Sequence, residues 1–106
     1  MSDPVLEQFF PMSETAFYIL LALTTPRHGY GIMQYVGELT GKRIILGSGT
    51  LYGSLSKMEG SSLIRFIGEE NKRKTYEITE LGKRVLLAEK ERLGELYNNA
   101  KAVLGQ

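Results

Sequence analysis

The sequence predicts a mainly α-helical single domain (α+β) with one small β-hairpin and a long last helix. Three observations carry that expectation. Helix start signals followed by apolar stripes recur before residue 60. Two β-branched and aromatic runs, residues 63–67 and 75–78, flank a polar tip that holds Lys72, Arg73 and Lys74. Between residues 79 and 104 only Gly82 and Gly94 disfavour helix. At 106 residues and 42% apolar composition the chain suits one domain with a modest core.

Residues 1–12 have little local pattern, yet Val5, Leu6, Phe9 and Phe10 are too apolar for a solvated tail, and a second subunit is the covering surface they suggest. Ser13 is a good N-cap, and Glu14 and Thr15 suit a first turn. Residues 16–23 are apolar on every side, so their helix should be buried all round until Thr24, Thr25 and Pro26 stop it. The next helix is expected over residues 28–41, with Tyr30, Met33, Val36 and Gly37 on one side and Ile32, Tyr35 and Leu39 widening the stripe. Residues 44–46 suit a brief strand or a buried connector.

Gly47, Ser48 and Gly49 then break the chain, and Ser48 is placed to cap a helix over residues 50–59. Leu51, Leu55 and Met58 give it a narrow core stripe. The opposite face carries Thr50, Gly53, Ser54 and Lys57, small and polar residues that permit close approach to a groove wall. Gly53 costs up to about 1 kcal/mol of helix propensity against Ala. The hairpin follows, with its turn at residues 69–74. Thr79 caps the last helix, and Glu80 sits near its positive end. Leu86, Leu93, Leu96, Ala100 and Val103 approach an a/d seam, which Glu89 interrupts, so the coiled-coil pattern starts at Leu93. A helix of about 25 residues spans roughly 37 Å, and its far end should pack against another chain.

The net charge is only +1, but it is unevenly placed. Residues 1–39 hold one cation against four carboxylates, residues 40–76 hold seven against three, and the remainder is balanced. The positive charge sits on the helix–hairpin unit, where phosphate contacts would be made. Such a unit can put one element in a DNA groove and another on the flanking phosphates, so double-stranded DNA is the expected partner. The alternative is a protein-interaction module or a dimeric ligand-binding protein, neither of which needs three cations at a hairpin tip.

Enzymatic chemistry is not indicated. His28 is the sole histidine, cysteine is absent, and no Ser–His–acid or paired-carboxylate arrangement emerges. His28 beside Gly29 reads as a helix-start residue. No residue set has metal-ligand spacing, so neither metal nor cofactor is expected. The absence of cysteine fits a reducing compartment. The longest apolar run is far short of a membrane span, and no basic start with an apolar h-region opens the chain. A cytoplasmic protein without membrane contact is the expectation.

Four motifs, in order, carry a resemblance: His28-Gly29-Tyr30-Gly31-Ile32, Gly49-Thr50-Leu51-Tyr52 with Leu55, Leu63-Ile64-Arg65, and the run from Arg73-Lys74-Thr75-Tyr76-Glu77-Ile78 through Thr79-Glu80-Leu81-Gly82. With these the chain resembles PadR-family transcriptional regulators, in their short subtype with one C-terminal helix, over about residues 13–104. The resemblance implies a winged helix-turn-helix over residues 13–78, whose third helix is the recognition helix and whose 66–76 hairpin is the wing. It implies a dimerisation helix over residues 79–104, with residues 1–12 packed at the dimer interface. It also implies a bacterial homodimeric repressor of operator DNA, released in many members by a small, often aromatic, effector.

On that frame the candidate DNA contacts are Ser48, Thr50, Tyr52, Ser54 and Lys57 on the recognition helix and Lys72, Arg73 and Lys74 on the wing, with Lys42 and Arg43 secondary. Tyr52 lies beside the core stripe, so core packing is its competing role. The candidate dimer-interface or effector-lining residues are Phe9, Phe10, Met12, Phe17, Leu93, Leu96, Tyr97, Ala100 and Val103, with plain interface packing as the competing role. Two departures are visible. Gly53 stands where members commonly carry Pro, and the chain lacks the Trp with which multidrug-sensing members sandwich flat drugs.

Overall fold

Caps and apolar spacing divide the chain into short helices around a small sheet. The computed structural model describes residues 3–106 and contains α1 (Pro4–Glu7), α2 (Glu14–Ala22), β1 (Arg27–His28), α3 (Gly29–Leu39), α4 (Ser48–Gly60), β2 (Ile64–Glu70), β3 (Arg73–Ile78) and α5 (Glu80–Leu104). Ser13 caps α2, its Oγ accepting the Ala16 N–H at 3.1 Å. Ile19, Leu20, Ala22 and Leu23 are buried, but Ala16, Phe17, Tyr18 and Leu21 are only half-buried. One protomer therefore leaves a side of α2 partly open, where the sequence suggested burial all round.

The helix α3 stops because Gly41, in the left-handed region at φ 59°, lets the Lys42 N–H reach the Gly37 carbonyl at 2.7 Å. A connector follows in which Leu46 is buried and Ile45 is exposed. Gly47, not Ser48, occupies the cap position of α4, and Ser48 lies inside its first turn. The stripe of Leu51, Leu55 and Met58 is buried as its spacing requires. With Ile32, Val36, Ile64 and Val85 it forms the core beneath α4.

The hairpin is part of a three-stranded antiparallel sheet in the order β1-β3-β2. Its third strand, β1, is two residues long and pairs Arg27 with Tyr76 and His28 with Thr75. The turn is also tighter than expected. Strand β2 continues to Glu70 and β3 resumes at Arg73, so only Asn71 and Lys72 turn the chain, at φ 53° and 63°. A bulge between Phe66 and Gly68 bends β2.

Thr79 caps α5 by accepting the Gly82 N–H at 3.0 Å, and its hydroxyl donates to the Ser62 carbonyl at 2.7 Å. Gly82 is obligatory there, since a Cβ would collide with the Leu63 carbonyl. Glu89, read from the sequence as a break in the seam, is 1% exposed. Its carboxylate accepts the Met12 N–H at 2.7 Å and pairs with Arg92. This ties the segment before α2 onto α5, where Phe9, Phe10 and Met12 pack against the protomer's own core. A second ion pair, Asp3 with Arg84 at 2.9 Å, holds the start of that segment. Beyond Arg92 the helix projects, exposing Leu93, Leu96, Tyr97, Ala100 and Val103. Among the described residues no helix is long and apolar enough to cross a membrane.

Candidate nucleic-acid interface

With Leu51, Leu55 and Met58 turned inward, the helical period sends Gly49, Thr50, Gly53, Ser56 and Lys57 outward, and all are exposed. Ser48 is exposed at the start of the same helix. Ser54 is not on this outer face; it is half-buried on the flank of the core stripe. Ser56 takes the outer position that sequence reasoning gave to Ser54. A Cβ at Gly53 would meet nothing within 4 Å, so no contact inside the protomer demands that glycine.

Tyr52 is packed on one edge and exposed on the other. Its side chain lies over Gly29, where an added Cβ would stand 2.5 Å from the Tyr52 Oη, while the residue remains 53% exposed. The start of α4 is thereby fixed against the start of α3, with one edge of the tyrosine left at the surface. Tyr52 shares one continuous cleft with His28, Gly29 and Tyr30 at the head of α3 and with Lys72, Arg73, Lys74 and Tyr76 of the wing. Lys72 sits in the turn, whereas Arg73 and Lys74 lie on β3 rather than in the tip loop. Within the described residues none of the three cations has a carboxylate partner.

Neither His28 before α3 nor Gly47 before α4 supplies a side-chain cap. At the exposed start of α4 the first N–H groups remain available to an anionic oxygen, whereas Gly29 at the start of α3 is buried beneath Tyr52. Lys42 is exposed and free of ion pairs among the described residues. Arg43 is committed elsewhere: its guanidinium hydrogen-bonds Glu14 at the head of α2 and holds that carboxyl below the usual carboxylate range. On the wing, Arg65 and Glu77 neutralise each other across the strands, with Nε to Oε1 at 2.8 Å.

Sequence reasoning missed Tyr30 and Tyr76 as members of the cleft. It assigned Tyr30 to the apolar stripe of its helix, yet Tyr30 is 59% exposed. The signal lay in the His-Gly-Tyr-Gly run, where a large aromatic stands at a helix start between two glycines. The residues proposed for an interface fall into two groups. Phe9, Phe10, Met12 and Phe17 are half-buried against their own core, while Leu93, Leu96, Tyr97, Ala100 and Val103 are exposed on the projecting part of α5.

The family model of the transcriptional regulator PadR-like family matches residues 10–88. A PadR-like transcription factor from Bacteroides fragilis superimposes with a TM-score of 0.69 at 25% identity, covering 95% of this chain and 99% of that one. A transcriptional regulator from Clostridium thermocellum gives a TM-score of 0.66 at 22% identity, over 99% of this chain and 96% of that one. Among curated proteins, an uncharacterised 37.1 kDa protein in transposon Tn4556 of Streptomyces fradiae is 31% identical over 85 residues. That match covers 79% of this chain but only 24% of the longer protein.

Proposed function

Because the chain belongs to the PadR-like family of transcriptional regulators, we propose that it binds double-stranded operator DNA as a homodimer and represses transcription in the cytoplasm. One observation carries this reading: Tyr52 of α4, Tyr30 at the head of α3 and three wing cations without ion pairs among the described residues line the same cleft. A duplex whose major groove takes α4 brings a phosphate wall against that cleft. Thr50, Ser56 and Lys57 then face the groove, with Lys57 able to reach a phosphate or a guanine edge. Tyr52 and Tyr30 meet the backbone, and Lys72, Arg73 and Lys74 follow the sugar–phosphate wall. Lys42 is a further phosphate contact, whereas Arg43 must first leave Glu14.

The exposed stripe on α5, with the N-terminal segment anchored beside it, supplies the dimer contact. Two recognition helices set about one helical turn apart, roughly 34 Å, favour a pseudo-palindromic operator. A dimer seated on such a site excludes polymerase from an overlapping promoter. Release by a small hydrophobic or aromatic effector completes the reading.

The test is a salt titration of duplex binding, using footprinting to find the site upstream of the protein's own gene. Replacing Lys72, Arg73 and Lys74 together by Ala should weaken binding at least tenfold and lower the salt slope by about one unit per cation removed. Unchanged affinity and slope would remove the wing from the interface. Failure of the native chain to bind any duplex at low salt would point to a protein partner instead.

A further inference from the structure

On the flank of α4 away from the wing, a second pocket separates the recognition helix from the N-terminal segment. Phe9, Phe10 and Met12 form one wall, and Met58 lies on the other with Ser54 and Lys57. At about 450 Å³ it has the size of a small-molecule site. Lys57 is the one charged residue lining it, and Lys57 has no carboxylate partner among the described residues. A cation beside an apolar wall with no counter-charge favours an anion that brings its own apolar body. The walls are already in place: Ser13 caps α2, and Glu89 grips the Met12 N–H. A site held by such contacts costs little to organise on binding.

We propose that this pocket binds a small amphipathic carboxylate, its chain on Phe9, Phe10 and Met58 and its head group on Lys57 and Ser54. Occupancy turns Lys57 from the operator to the ligand, so release arises on the flank of the recognition helix within one protomer. The release step rests on the DNA-binding reading above; the binding step does not.

Isothermal titration of the DNA-free full chain with octanoate tests the binding step, with octanol as the neutral probe of equal length. Saturable octanoate binding is expected at one site per protomer. Lys57→Gln should weaken it about tenfold while leaving octanol unaffected. Ala16→Leu, which fills the pocket from α2, should abolish binding of both probes in a chain whose circular dichroism melt remains cooperative. If that variant does not fold, Ser61→Leu narrows the same pocket from the end of α4. No saturable octanoate binding, or binding untouched by Lys57→Gln and by the filling variant, overturns the site. Octanol binding as tightly as octanoate overturns the head-group assignment. For the release step, octanoate should weaken operator binding by the native chain but not by the pocket-filled variant. Octanoate that binds yet leaves operator affinity unmoved overturns release. A chain that binds octanoate and no DNA overturns the regulator reading and leaves the pocket standing.

Discussion

Two residues show how single side chains link the elements, and each gives a measurable outcome. Tyr52 rests where Gly29 has no Cβ, so Gly29→Ala must displace the ring or move α3 away from α4. Gly29 does not lie in the left-handed region, so the substitution brings no backbone strain of its own. Operator affinity should fall several-fold with little change in urea midpoint; unchanged affinity would leave Tyr52 as packing alone. Glu89 acts on stability instead. The Arg92 hydrogen bond, aided by the Met12 N–H, holds its carboxyl below the usual range against the opposing effect of burial. A carboxyl whose folded pKa lies below its unfolded value stabilises fully at neutral pH. That contribution fades from about pH 4 downward as the group protonates. Glu89→Gln should therefore cost about 2 kcal/mol at pH 7 and much less in acid, flattening the acid side of the stability curve. A loss equal at both pH values would refute the assignment. Sequence periodicity marked Glu89 as an anomaly but had no means of showing what it holds, because Met12 is far away along the chain.

At the scale of elements, the wing tests how local conformation and charge trade against each other. Asn71 and Lys72 both lie in the left-handed region, the conformation that two-residue hairpins require. Lysine is poorly suited to it, at a cost of roughly 1 kcal/mol. Lys72→Gly should raise the melting temperature while weakening operator binding and lowering the salt slope by about one unit. Both quantities falling together would mean that the side chain, and not the charge alone, supports the wing. The helices were legible because caps and stripes act within a few residues: Ser13, Thr79 and the Leu51–Leu55–Met58 stripe fall where the pattern put them. The third strand was not legible. Two residues cannot show a period, and Arg27 and His28 are extended only because β3, nearly fifty positions later, offers them an edge. The turn was read too wide because polarity marks a loop without fixing its length. The motif that opens α4 placed that helix, but the assignment of outer positions slipped at Ser54 and Ser56, where a shift of two positions turns a side chain across the helix.

At the scale of the molecule, shape argues for a partner. The Cα radius of gyration is 14.9 Å and the extents are 52 × 33 × 21 Å, whereas a compact chain of this length would have a radius near 13 Å. The excess arises because α5 continues well beyond the core that covers its first half. On the projecting part Leu96 is 52% exposed and Val103 84%, at the heptad spacing that suits a facing helix. Leaving that stripe in water forfeits the burial for which its residues are suited, about 25 cal/mol for each Å² of apolar surface. A second copy offers the same stripe, and a two-fold axis makes the contact self-complementary. Sedimentation of the native chain should then give twice the 11.9 kDa protomer mass. Leu96→Glu with Val103→Glu should give the protomer alone, with its circular dichroism spectrum preserved, because neither side chain belongs to the core. If a dimer spaces the two reading heads, that monomer should lose the symmetric footprint and most of its operator affinity while retaining the salt-sensitive, non-specific binding of a single wing and helix. A native chain that sediments as a protomer at micromolar concentration, yet protects a palindrome, would break the connection between the projecting helix and operator recognition.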